Sequence, residues 1–429
     1  MQFHIVDMQP DFLAVVNDAL NCKIEEESIW LRVDGRSLSI AVRPGANGAR
    51  GTSYACKEDP SVVFAQVSVH RFTLTLAPGA APICLRSPKT FLLADVGAGA
   101  KINCVAVSAA HAVAVTGDSN GTVSSFSLDH ENLRLVRRLK LTDAHMSDVT
   151  DVQIFPSGAV ALSAGLDYTI KIWSLVDGSN PRTMRGAQKK RITAAALIGA
   201  HGRNFVSTSL DGSACVWECG TGRCIQVFRR IRDPRDPMLS VAVQNHRAVS
   251  AGVPESAGVP AATGGSGLFF ECAGKRMFCG HGSGKVTVWD LGARAFVGEV
   301  AVAEGGGFTS LGGVSAIAVA GTQSIVVGFE KRAVVRCFDL AAGSSAERIS
   351  SRLRWEVAVG DPGEEQEVKG LEILGDTVVC LSTDGFVSLN VSDGSAKEYL
   401  VGYDSVLNDF TISGGNIFAC GKEGLLVEY

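Results

Sequence analysis

Between Val149 and Trp217 the chain writes one pattern twice. The first copy covers Val149–Ile154, residues 159–164 and residues 167–173; the second covers Ile192–Leu197, residues 204–208 and residues 211–217. Each copy is three short runs rich in Val, Ile, Thr and Ala. A polar turn precedes the third run, and Trp ends it. Trp217 follows Trp173 by 44 positions. A unit this small cannot bury both faces of its own sheet, so it must stack on further copies.

That period, and the Asp-to-Trp ending, are those of WD-type propeller blades. After residue 90 the pattern can be counted. The turn residues are Asn120, Asp167, Asp211, Ser283, Arg332, Asp384 and Glu423, and the strand ends are Phe126, Trp173, Trp217, Trp289, Phe338, Asn390 and Tyr429. Successive ends lie 39 to 52 residues apart, with one gap of 72. Seven copies predict an all-β, seven-bladed WD-repeat β-propeller. The long gap is assigned to a Gly-, Ala- and Pro-rich loop at residues 254–267, inserted within the fourth blade between runs near Leu239 and Met277. Tyr429 ends on a third strand, so the seventh blade lacks its outer one. Residues 90–96, just before the first copy, are expected to supply it and close the ring. Residues 1–89 fall outside the repeat and predict a small β-rich N-terminal domain. It has a short helix at residues 11–20, a hairpin around Asp34-Gly35 and loops at residues 44–51 and 78–88.

Composition narrows the function. The formal charge of −4 is too small to make nucleic acid the main partner. No apolar run reaches the roughly 18 residues of a membrane span, and residues 1–20 carry Asp7, Asp11 and Asp18 where a signal peptide would carry bases. An intracellular protein with reduced thiols is expected. Cys104, Cys215, Cys279, Cys337, Cys380 and Cys420 sit in apolar runs, as small buried hydrophobes do. Cys215, Cys219 and Cys224 fit no usual zinc spacing, so neither metal nor cofactor is expected.

Three groups of residues invite a chemical reading. His145, Ser163 and Asp167 suggest a hydrolase, but their spacing follows the blade and Trp173 completes the set. They are read as polar groups that satisfy one another under the blade edge, not as catalysts. Ala187 stands where the third copy would carry its His, so most blades are expected to rely on apolar packing. Residues 280–286, Gly-His-Gly-Ser-Gly-Lys-Val, look like a phosphate loop but lie between two β runs. They read as a hairpin turn. The remaining candidates are loop charges. In this architecture the second-to-third-strand turns and the loops leading into each blade share one face. Its basic side would carry Arg185, Lys189, Lys190, Arg191, Arg229, Arg230, Arg232 and Arg235. Its acidic side would carry Glu364, Glu365, Glu367, Asp384, Asp404, Asp409 and Glu423. An acidic docking sector would attract a basic partner.

Several runs also resemble a known family: Phe155-Pro156-Ser157-Gly158, residues 162–167 leading to Trp173, residues 202–212 with Trp217-Glu218-Cys219-Gly220, and, more weakly, residues 381–385 and 420–426. They resemble the WD-repeat assembly chaperone of the 26S proteasome regulatory particle, the proteasomal ATPase-associated factor family. The resemblance covers about residues 90–429. It implies a non-enzymatic protein of cytoplasm and nucleus, monomeric by itself, that binds the C-terminal domain of one ATPase subunit during base assembly. The competing expectation is a general propeller scaffold in another complex, such as a ubiquitin-ligase substrate receptor or a trafficking complex.

Overall fold

The computed structural model describes residues 4–45, 51–93, 100–129, 134–141, 143–245, 269–304, 307, 310–341, 349–361, 364–403, 406–422 and 424–429. Among these, seven antiparallel sheets follow one another along the chain from Ile102, and strands outside the repeat add to the sixth and seventh. Their innermost strands are Ile102–Ser108, Val149–Ile154, Ile192–Leu197, Met238–Asn245, Val314–Ala320, Val368–Leu374 and Leu407–Ser413. Each packs against the next, and the seventh packs against the first, so the sheets are blades around a channel.

The second strands of three blades are buried along their whole length: Val113–Asp118, Asn204–Ser209 and Ser324–Phe329 show no exposed or half-exposed position. Neighbouring blades cover both faces, which explains the near-continuous apolar runs. Contact between blades is close. A Cβ on Gly117, Gly280 or Gly328 would come within 3 Å of Val149, Val314 or Val368, the first residue of the next inner strand.

Every inner strand carries a β-bulge near its start, at Asn103, Thr150, Thr193, Leu239, Ser315, Lys369 and Asn408. The bulge re-aims the side chain along the rim of the channel. Five of the seven use this to reach a backbone carbonyl of the neighbouring blade. Asn103 donates to Val149 O at 3.2 Å, Thr193 to Met238 O at 2.8 Å, Ser315 to Val368 O at 2.6 Å and Asn408 to Ile102 O at 2.8 Å; Lys369 reaches Leu407 O. The two junctions left over are bridged one residue later. Asp151 accepts the Ala195 N–H at 2.6 Å, and Ser240 donates to Val314 O at 2.9 Å. Each of the seven blade junctions thus holds a side-chain bond to backbone.

The fourth strand of the seventh blade is Thr90–Leu93, antiparallel to Leu425–Glu428. Residues 94–96 of the expected closing segment lie outside the described residues, as does the 254–267 insertion.

The region before it divides in two. Val6–Met8, Glu27–Val33, Arg36–Pro44 and Thr52–Cys56 form a separate sheet, turned at Asp34 and Gly35, both at positive φ as a two-residue hairpin demands. The helix Phe12–Leu20 packs on it through Phe12, Val15, Val16 and Ala19. Val63–Ser68, Arg71–Thr75 and Ile83–Arg86 instead extend the sixth blade to seven strands, because Ile83–Arg86 runs parallel to Ala396–Leu400. Residues 78–88, expected as a loop, therefore contain a strand. Four residues bracketed by Pro82 and Pro88 are too few to show an alternating pattern in sequence.

Candidate interaction face

The polar sets are built from the strand ends. His145 Nε2 lies 2.7 Å from Ser163 Oγ, its Nδ1 lies 3.0 Å from Asp167, and the Trp173 indole donates to Ser163 Oγ at 2.8 Å. Ser163 is fully buried and its hydroxyl already holds two partners, so no substrate reaches it. Burial would raise the Asp167 carboxyl, but hydrogen bonds from His145 and Thr169 outweigh it and hold the group well below the usual carboxylate range.

Two further blades carry a polar set of their own. In the third blade Gln188, one residue past Ala187, takes the His place. It accepts from Ser207 Oγ at 2.7 Å, and Trp217 donates to the same hydroxyl at 2.8 Å. In the fourth, His281 and Trp289 share Thr287, with Asp236 3.5 Å from the His281 ring. His281 is the residue inside the Gly-rich 280–286 stretch, which forms the turn between Lys275–His281 and Lys285–Asp290.

These sets fix where the neighbouring loops project. Asp167 receives the Met146 N–H at 3.1 Å, and Asp211 receives the Lys189 N–H at 2.7 Å. The turn of each blade therefore holds the loop leading into it, and both lie on one face of the ring.

On the sixth blade this arrangement gathers the acidic residues. Glu367 N donates to Thr383 Oγ1 at 3.1 Å, Thr383 N to Glu367 O at 3.0 Å, and Gln366 bonds to Asp384. Gln366 N also reaches Lys331 O of the fifth blade at 3.2 Å. Glu364, Glu365, Glu367 and Asp384 are all exposed there. Asp404 and Glu423 lie outside the described residues.

Asp409 is not part of this rim. It follows the bulge in Leu407–Ser413, and its carboxylate accepts the Val105 N–H of the first blade at 2.9 Å across the ring seam. Arg230 is likewise not a surface charge. It is buried, bonded to Glu299 at 2.7 and 2.9 Å and to Asp236 at 3.0 Å. Arg185, Lys189, Lys190, Arg191, Arg232 and Arg235 are exposed, and Arg229 is half-buried against Asp211. Exposed apolar side chains on the basic side, Met146, Tyr168 and Ile231, gave no signal in the sequence because each stands alone between polar neighbours.

Asp409 belongs instead to a channel cavity of about 320 Å³ lined by the inner strands, together with Asp151 and Glu372. Burial pushes Asp151 up to about 7, Asp409 to about 6 and Glu372 to about 8, against the bonds from Ala195, Val105 and Ile412. The folded ring keeps protons that an unfolded chain releases above about pH 4. Stability is therefore greatest near the acid end of this window and falls as pH rises through about 6 to 8. Asp151→Asn, Asp409→Asn and Glu372→Gln together keep an acceptor oxygen at each place and remove the ionisation. Between about pH 5.5 and 8.5 the native chain is expected to lose ~1–3 kcal/mol more than the triple variant, a figure reduced for solvent at the channel wall. Denaturant titrations at both pH values check this, and parallel profiles would acquit the carboxylates.

Residues 135–174 and 178–218 match the family described as WD domain, G-beta repeat. The chain is a WD-repeat β-propeller. Among similar proteins, this propeller is 37% identical over 175 residues to the 26S proteasome regulatory subunit RPN14 of Saccharomyces cerevisiae, a match covering 41% of this chain and 38% of that one. It is 29% identical over 106 residues to bovine Transducin beta-like protein 3, covering 22% of this chain and 13% of that relative. It is 26% identical over 145 residues to mouse NACHT domain- and WD repeat-containing protein 1, covering 33% and 9%. The matches span less than half the length of each relative.

Proposed function

We infer that this propeller is a non-enzymatic assembly factor of the proteasome regulatory particle, and that it binds the C-terminal domain of one ATPase subunit through the acidic side of its loop face. The likeness to the proteasome regulatory subunit carries the reading, since the WD repeats themselves recur in relatives with unrelated names. The acidic sector supports it. Glu364, Glu365, Glu367 and Asp384 stand exposed on a loop pinned to two neighbouring turns, so little ordering is needed on contact. A basic domain would be steered toward this side of the ring.

Glu364→Lys, Glu365→Lys and Glu367→Lys together reverse the field where it is strongest. Binding to the purified ATPase C-terminal domains is expected to weaken by ~10–1,000-fold at low salt, mainly through a slower association rate. The melting temperature should hold, because the three side chains are exposed. Titration by calorimetry against each domain separately tests this. An affinity unmoved by the charge reversal would remove the acidic sector. Purification from extract that returns another complex and no base subunit would favour the scaffold reading.

A further inference from the structure

The opposite side of the same face has a different character. Met146 is 95% exposed, Ile231 65% and Tyr168 49%. They lie on the loop leading into the second blade, the loop leading into the fourth, and the turn of the second. Met146 and Tyr168 are neighbours through Asp167: its carboxylate takes the Met146 N–H at 3.1 Å, and Tyr168 is the next residue in the chain. Tyr168 stands at φ +65°, a left-handed conformation that an aromatic residue rarely adopts and that glycine fills at the matching Gly212 and Gly121. The turn thus holds a bulky apolar side chain in the open at a cost in backbone strain.

The loops leading into the third and fourth blades, on the same face, are basic. Arg185, Lys189, Lys190, Arg191, Arg232 and Arg235 are exposed on the loops leading into the third and fourth blades. The exposed carboxylates Asp143 and Asp233 stand against them, and Glu367 at the edge of the acidic sector interacts electrostatically with Arg191. The nearby Asp167 and Asp211 are taken up by backbone N–H groups and side-chain hydroxyls of their own turns.

We propose that this sector, on blades two to four, is a second docking surface that takes an acidic polypeptide segment carrying bulky apolar side chains. The cations recognise the carboxylates, and Met146, Tyr168 and Ile231 cover the apolar groups from water. It is a separate surface from the acidic sector and takes a partner of opposite charge. Single-stranded RNA is the weaker fit, because Tyr168 offers one stacking platform where such sites use several.

The test uses the full chain and a fluorescein-labelled twelve-residue peptide of Glu and Asp interrupted by one Leu and one Phe. Saturable binding is expected by anisotropy. Tyr168→Gly with Met146→Ser should weaken it about tenfold or more, and Leu and Phe replaced by Ser in the peptide should cause the same loss. Tyr168→Gly relieves the positive φ, so the melting temperature should hold or rise, which separates lost contact from lost fold. Arg185→Glu with Lys189→Glu should weaken binding further and flatten its salt dependence. No saturable binding below about 1 mM, or an affinity indifferent to Tyr168 and Met146, would overturn the proposal. So would a twelve-nucleotide oligouridine that binds more tightly and displaces the peptide.

Discussion

A chain that starts at residue 100 is expected to lose its cooperative thermal transition, while one that starts at residue 87 keeps it at a lower temperature. The difference is the strand Thr90–Leu93. It pairs antiparallel with Leu425–Glu428, and Lys89 N adds a bond to Glu428 O at 2.7 Å. Without it the last blade has three strands, and the edge of Leu425–Glu428 is left open beside the seam between the seventh and first blades. The ring is stable because each blade is covered on both sides, so an unclosed seam weakens every junction that depends on it. The loss should be ~5 kcal/mol or more, a large part of the ~5–15 kcal/mol that separates folded from unfolded proteins. The chain that starts at residue 87 loses the N-terminal sheet and the three extra strands of the sixth blade, but keeps the seam. Circular dichroism melts and soluble yield of the two truncations decide the matter. If both melt alike, closure is not what matters.

Arg336→Ala is expected to destabilise the protein by ~3–5 kcal/mol, the cost of leaving a charge partner unpaired in the interior. Arg336 is fully buried on the third strand of the fifth blade. Its guanidinium is paired with Glu356, donates to Val302 O at 2.8 Å and lies over the Phe329 ring. Glu356 in turn accepts the Gly307 N–H at 2.7 Å. The cation thus fastens the loop leading into its blade, as Lys171 does in the second blade by reaching Ala144 O. Arg336→Met with Glu356→Leu should recover much of the loss, since an apolar pair of similar volume often replaces a buried ion pair without harm. Urea unfolding of the single and double variants checks both statements. A single variant within 1 kcal/mol of the native chain, on the ~1 kcal/mol scale of ordinary surface changes, would show that the pair is dispensable.

The parts of the fold that could be read from sequence are those whose cause is local. Trp173 and Trp217 each stand one residue before the end of a strand that follows a polar turn, and that turn chemistry lies within seven residues. The polar set around His145 was legible for the same reason. Its relatives were not. Gln188 sits one position from where a His was sought, and His281 comes from the second strand instead of the incoming loop. Charges misled more than apolar residues. Asp409 and Arg230 look like solvated loop residues, yet one bridges two blades and the other balances two carboxylates, the buried Asp236 and the half-buried Glu299. An ion on a chain is indistinguishable from a surface ion until its partner, here 304 residues away, is brought beside it.

By itself the sequence determined the blade: three or four strands, their period, the turn before each terminal aromatic, and the need for company that makes a ring. These follow from side-chain alternation and turn chemistry, which act between near neighbours. Only the tertiary structure decided which strands from residues 63–93 join the sixth and seventh blades, which charges stay on the rim, and which bridge the channel. Those choices depend on contacts made across the whole chain, and closing the ring is what brings such distant groups within hydrogen-bonding range.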